Sequence, residues 1–153
     1  MTVHVLDESP STDGAFGTAP DDRTLEQRLA SGFILVDKPA GPTSHQLAAW
    51  ARDLLGLERL GHGGTLDPFA TGVLPLMAGR CMKITNKILK HEKTYIAVLR
   101  FRSMPDTETL NATMATMTGR IYNVPPEVSA VKVQVRTRNV HTFELLDTDG
   151  NDA

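Results

Sequence analysis

Apolar residues in this chain come in short runs, each stopped by glycine, proline or a polar cluster. Gly32-Phe33-Ile34-Leu35-Val36-Asp37 is a compact apolar run ending at the turn Lys38-Pro39-Ala40-Gly41-Pro42, which predicts a strand. Thr43 or Ser44 then caps a helix to about Leu55, with Leu47, Trp50, Ala51 and Leu54 on its inner side and Gly56 closing it. A shorter helix is expected over Thr24 to Ala30. Val73 to Met77 predicts a second strand, and Met82 to Lys90 a helix with Lys83, Lys87 and Lys90 on one side. Thr94 to Phe101 has the clearest alternation of the chain, through Tyr95, Ala97, Leu99 and Phe101. Pro105-Asp106 opens another helix, whose Leu110, Met114 and Met117 share a core face and which Gly119 ends. Ile121 to Val124 is a short extended piece. Strands over Val128–Val135 and Val140–Leu146 follow, separated by Arg136-Thr137-Arg138. The mixture predicts an α+β fold with a mixed, largely antiparallel sheet and flanking helices.

Two features lie outside that pattern. Residues 1–23 are rich in Ser, Thr, Asp, Gly and Pro, and are expected to form a flexible acidic leader ahead of a domain over residues 24–153. At the other end, Asp147-Thr148-Asp149-Gly150-Asn151 looks like a hairpin turn whose returning strand is absent, as in an incomplete domain.

Charge sharpens the division. The formal net charge is −2, but residues 1–30 hold six acids against two bases, whereas residues 31–153 hold twelve acids against fourteen bases. Over residues 80–102, Arg80, Lys83, Lys87, Lys90, Lys93, Arg100 and Arg102 face only Glu92. Such a run either neutralises phosphates or forms a solvated surface. Cys81 is the only cysteine, which excludes an internal disulfide and a cysteine-built zinc site and points to a reducing, cytoplasmic compartment. No apolar run approaches the length of a membrane span, so no membrane partner is expected.

The chemistry concentrates in Gly61-His62-Gly63-Gly64-Thr65-Leu66-Asp67-Pro68. Glycines here permit close approach of a substrate, and Pro68 stiffens the turn beside the Asp67 carboxylate. A second reading is that Asp67-Pro68 caps a helix. No Lys-Ser or Lys-Thr follows the glycines at phosphate-loop spacing. His45, His62, His91 and His141 are too scattered for a metal site, and no nucleophile elbow is present. For a paired-carboxylate hydrolase, Asp37 is the second acid on a comparable turn.

Together, Lys38-Pro39-Ala40-Gly41-Pro42-Thr43-Ser44 and Gly61–Pro68 resemble the first two motifs of the TruB-type pseudouridine synthases. Glu92-Lys93-Thr94-Tyr95 and Pro125-Pro126 with Ser129-Ala130-Val131-Lys132 resemble two more. Pro105-Asp106-Thr107-Glu108-Thr109-Leu110 through Gly119-Arg120-Ile121-Tyr122 is closer to the RNA-guided, dyskerin-like branch of H/ACA ribonucleoproteins. The resemblance implies that the chain isomerises uridine in rRNA or tRNA, with Asp67 catalytic. It further implies that Tyr95 stacks on the flipped base, that His62 lies near the vacated position, and that Gly63 and Gly64 belong to the substrate loop. Lys38 braces the turn beside the site, and Lys132 contacts RNA. No metal or organic cofactor is implied. The implied partners are substrate RNA, an H/ACA guide RNA and the proteins of that particle, with a nucleolar location in a eukaryote.

Two departures accompany the resemblance. Phe69-Ala70 after Asp67-Pro68 is closer to the bacterial tRNA enzymes, which keeps a stand-alone tRNA synthase open beside a non-catalytic RNA-binding scaffold. The family's third motif, with an arginine that pairs with the catalytic aspartate, and its PUA domain would lie beyond Ala153. The expectation is an N-terminal fragment that is inactive alone.

Overall fold

The computed structural model describes residues 15, 17–125 and 133–153, in two units, Met1–Lys90 and His91–Ala153. Of the expected leader, residues 1–14 and 16 lie outside the described residues; within 17–23 there is one exposed 3-10 turn, Pro20–Asp22.

The first unit is built on α1 (Leu25–Ala30), β1 (Ser31–Lys38), α2 (Ser44–Leu54), β2 (Leu60–His62), β3 (Gly72–Gly79) and α3 (Thr85–Lys90). Both α1 and α2 begin in the same way. Thr24 and Thr43 accept from the backbone N–H of Gln27 and Gln46, whose side chains accept from the threonine N–H groups in return. Such reciprocal caps are worth about 1 kcal/mol each. At the end of α2, the Leu57 N–H reaches the Arg52 carbonyl at 2.9 Å and the Gly56 N–H the Asp53 carbonyl at 3.2 Å. Gly56 at φ +62° completes this left-handed closure.

The three strands form an antiparallel sheet in the order β1-β3-β2. Alternation along β1 and β3 puts Ile34, Val36, Leu74 and Leu76 on one face, where they pack with Leu47, Ala48, Ala51 and Leu60. On the other face Met77 is fully buried and its sulfur lies 3.6 Å from the Thr85 hydroxyl, whereas Phe33, Leu35 and Val73 are exposed. Of the inner side expected for α2, Leu47 and Ala51 pack on the core, but Trp50 and Leu54 are exposed, and Ser44 and Ala48 are buried instead. Ser44 is tied to Leu66, and that anchor rotates the small residues inward. The helix expected over Met82–Lys90 is two pieces, a 3-10 turn Arg80–Ile84 and then α3, so Lys83 does not share one regular α-helical face with Lys87 and Lys90.

The second unit contains α4 (Thr107–Thr116), β4 (Gly119–Asn123) and β5 (Arg136–Val140), the two strands pairing antiparallel. Asp106 caps α4 through the Thr109 N–H at 2.7 Å, and Leu110 and Met114 are buried while Met117 is exposed. Arg136-Thr137-Arg138, expected to separate two strands, is itself strand: in a two-stranded ribbon with open faces, polar residues occupy ladder positions freely. Residues 128–132 of the strand expected before it lie outside the described residues, and neither 133–135 nor 141–146 is strand.

Thr94 to Phe101 forms no regular strand. Its end, Leu99 to Phe101, exchanges backbone bonds with Asn151 and Ala153, and Arg100 bridges Asp152. The chain after Gly150 therefore pairs with Leu99–Phe101 and not with residues 140–146. A fork of two hydrogen bonds from the Arg100 guanidinium to the Asp152 carboxylate, 2.6 and 2.5 Å, closes it. The bond holds the Asp152 carboxyl below its usual range and raises the Arg100 guanidinium above its own.

Candidate active site around Asp67

The loop carrying Asp67 leaves β2, crosses to the N-terminus of α2, and returns to β3 at Gly72. Pro68 and Phe69 form a tight turn, closed by the Ala70 N–H on the Asp67 carbonyl at 3.0 Å. No helix follows, so Asp67 does not act as a helix cap.

Three residues of the β1–α2 connection hold this turn. Lys38, fully buried at the end of β1, donates from Nζ to the carbonyls of Ala70 at 2.7 Å, Pro39 at 3.0 Å, and Asp67 and Pro68 at 3.2 Å each. Four acceptors converge on three N–H donors, so at least one donor is shared. Gly41 adds its N–H to the Pro68 carbonyl at 2.8 Å. Ser44, also buried, accepts from the Leu66 N–H at 2.8 Å and donates to the Leu66 carbonyl at 3.2 Å. Main-chain groups on both sides of the Asp67 side chain are thereby fixed by side chains that are themselves buried. Asp67 itself is half-buried.

Each expected residue has a definite place. Lys38 touches the turn from beneath and is closed to solvent, which gives it a bracing contact and no surface for direct substrate contact. His62 is half-buried and its Nδ1 hydrogen-bonds the Gly64 carbonyl. A carbonyl only accepts, so Nδ1 is the donor in this bond. Gly63 is not an open approach for substrate. It is buried, its N–H donates to Pro75, and a Cβ there would lie 2.6 Å from Ile88 Cγ2. Its bareness serves the packing of α3 on the sheet. Gly64 is buried as well. Tyr95 is exposed in the second unit, and Lys132 lies outside the described residues. Asp37 leaves β1 on the face opposite Lys38 and is exposed, pointing away from the brace of the Asp67 turn.

Sequence reasoning missed two residues. Ser44 was one of two candidate caps, but Thr43 caps α2, which frees Ser44 to clamp Leu66. Two adjacent hydroxyl residues at a helix start are the signal: one suffices for the cap. Phe69 stands at the tip of the turn, 77% exposed, two residues from the carboxylate. Among the described residues, no group of three or more His, Cys, Asp or Glu is arranged to hold a metal ion, and no helix is long and apolar enough to cross a membrane.

Comparison with known proteins places this turn in a family. The model of the TruB family pseudouridylate synthase (N terminal domain) matches residues 52–149, and that of the DKCLD (NUC011) domain matches residues 4–48. The probable tRNA pseudouridine synthase B of Pyrobaculum calidifontis is 44% identical over 139 residues, which cover 91% of this chain and 42% of that protein. Its counterpart in Pyrococcus abyssi is 40% identical over 150 residues, 98% of this chain and 45% of the relative. Among solved structures, a chain of a Cbf5-Nop10-Gar1 complex superimposes with a TM-score of 0.80 at 38% identity, over 95% of this chain and 44% of that one. A chain of an H/ACA RNP bound to a substrate RNA containing 2'-deoxyuridine gives 0.80 at 34% identity, over 95% and 43%. The chain thus spans less than half the length of the relatives it matches.

Proposed function

Because this chain belongs to the TruB family of pseudouridylate synthases and has the fold of its Cbf5-like branch, we propose that it carries the catalytic aspartate of an RNA pseudouridine synthase. The substrate is a uridine within RNA. The N1–C1′ bond breaks, the uracil turns, and a C5–C1′ bond forms, with the C5 proton released and N1 protonated, so atoms balance without a cofactor. A carboxylate is suited to this step, as a nucleophile or as the charge facing an electron-poor sugar carbon. Asp67 supplies it, and His62 stands five residues before the carboxylate in the same loop.

The observation that carries this reading is the grip of Lys38, Gly41 and Ser44 on the Asp67 turn. A buried lysine that bonds three carbonyls of one turn fixes the position of the carboxylate beside it, as catalysis by positioned groups requires. The test uses RNA labelled with tritium at uridine C5 and the full-length product of the gene. Release of label by the wild type, lost in Asp67→Asn with RNA binding kept, supports the reading. Retained release sinks it.

We propose further that the protein works as the catalytic subunit of an H/ACA-type guide RNA complex in the cytoplasm or nucleolus. The DKCLD match and the likeness to chains from Cbf5 complexes support this. The relatives named as tRNA synthases favour a second reading, action on tRNA without a guide. Modification of tRNA in the absence of guide RNA and partner proteins selects the second; strict guide dependence selects the first.

A further inference from the structure

At the end of the sheet remote from Asp67, three stretches of chain meet: Ala30 before β1, Arg59 before β2, and Gly79 at the end of β3. The Gly79 N–H donates to the Arg59 carbonyl at 3.3 Å, and Ser31 faces Gly79 in the ladder. Gly79 has φ +52°, and a Cβ on it would lie 2.0 Å from the Ala30 carbonyl oxygen. Only glycine lets the strands close here, and that closure brings Arg59, Arg80 and Lys83 around one cavity.

The cavity holds about 350 Å³ and is lined by Ala30, Arg59, Gly79, Arg80, Met82 and Lys83. No acid is among them. None of the three cations has a salt bridge or a side-chain hydrogen bond among the described residues. The three exposed side chains share one lining that contains no carboxylate, so an anion entering it meets only positive charge. Two guanidiniums and an ammonium match the oxygens of a phosphate group.

The place of the cavity says which phosphate. The Asp67 turn is attached where Lys38 pairs with Gly72, and the cavity opens where Ser31 pairs with Gly79. Seven residue steps at about 3.3 Å separate these ends, roughly 23 Å. That is too far for the nucleotide being modified, and within reach of the same RNA on either side of it. We propose that Arg59, Arg80 and Lys83 form a backbone phosphate site for RNA flanking the target uridine, setting its register on the sheet. This rests on the reading of the protein as an RNA-modifying enzyme. It also divides the basic run of the sequence: Arg80 and Lys83 join Arg59, while Arg100 is committed to Asp152.

The test measures binding of substrate RNA to the full-length protein by fluorescence anisotropy between about 50 and 200 mM salt. The variants are Arg59→Ser/Arg80→Ser, Lys83→Ser, and Lys87→Ser/Lys90→Ser, the last removing two charges away from the cavity. The Arg pair should weaken binding roughly tenfold at the low-salt end and reduce the slope of log affinity against log salt by about 1. Lys83→Ser should act in the same direction, and the Lys87/Lys90 pair should change the slope less. Equal effects of the Arg and Lys87/Lys90 pairs, or none from either, overturn the site while leaving the enzyme reading intact. A wild type that modifies RNA normally but binds it without salt dependence overturns the site as well; one that neither binds nor modifies RNA overturns both.

Discussion

Replacing Lys38 by methionine keeps the length of the side chain and deletes every donor it carries. Of the four carbonyls it holds, Asp67 keeps the Ala70 N–H and Pro68 keeps the Gly41 N–H, but those of Pro39 and Ala70 lose the bonds that Lys38 supplied. Pro39 is exposed, so its carbonyl can turn to water, whereas the half-buried Ala70 carbonyl left unsatisfied costs about 1–3 kcal/mol. Relief of the desolvation carried by a buried ammonium offsets part of this. The net expectation is a loss of about 1–2 kcal/mol, read from urea unfolding at fixed temperature. The turn also loses its fixed position, and a catalytic group displaced by about 1 Å loses up to about 100-fold in rate. Lys38→Met should therefore lower kcat for pseudouridine formation by roughly 10- to 100-fold with little change in KM, because no surface of Lys38 is open to RNA. Wild-type stability and kcat in the variant would refute the brace. A rise in KM at constant kcat would refute it differently, by making Lys38 a binding residue.

The other expectations follow from the same contacts. Ser44→Ala removes both bonds to the Leu66 backbone and should cost about 1–3 kcal/mol of stability in the same unfolding assay. Gly63→Ala drives a Cβ to 2.6 Å from Ile88 Cγ2, and Gly79→Ala drives one to 2.0 Å from the Ala30 carbonyl oxygen. The first should lose about 1–3 kcal/mol, and the second more, because a side chain yields where backbone does not; thermal unfolding ranks them. The cap of α4 depends on ionised Asp106, whose carboxyl lies below its usual range because the Thr109 N–H and hydroxyl bond to it. A carboxyl depressed by folding stabilises above its ordinary value, and that contribution disappears as pH falls through the depressed one. Protection factors of the α4 amides, taken relative to the intrinsic exchange rate at each pH, should be highest near neutrality and fall in acid, with Asp106→Ala flattening the change.

Local signals carried most of the fold. Thr-x-x-Gln at Thr24 and Thr43 announces both capped helices, and the apolar run at Phe33–Val36 and the Gly56 stop are legible for the same reason: neighbours in sequence decide them. Long-range partners decide the rest. Thr94–Phe101 alternates well, but a strand needs a ladder, and the described chain offers one only to Leu99–Phe101. Arg136–Arg138 reads as polar punctuation until Ile121 and Tyr122 are found opposite it. Trp50 and Leu54 look like the inner face of α2 because they are large, yet the bond from Ser44 to Leu66 sets the phase. At the site, the motif order identified the Asp67 loop from sequence alone. That Lys38 is buried beneath it, and that Gly63 serves α3, depends on atoms 29 and more residues away or across the sheet.

We propose that the turn held by Lys38 and Ser44 presents the carboxylate that isomerises uridine. Tritium release from RNA labelled at uridine C5 tests this, with the wild type and Asp67→Asn compared at saturating RNA and partner proteins. Full release by the wild type and background release by Asp67→Asn, with unchanged affinity for the RNA, is the expected result. Release by Asp67→Asn at the wild-type rate would contradict it.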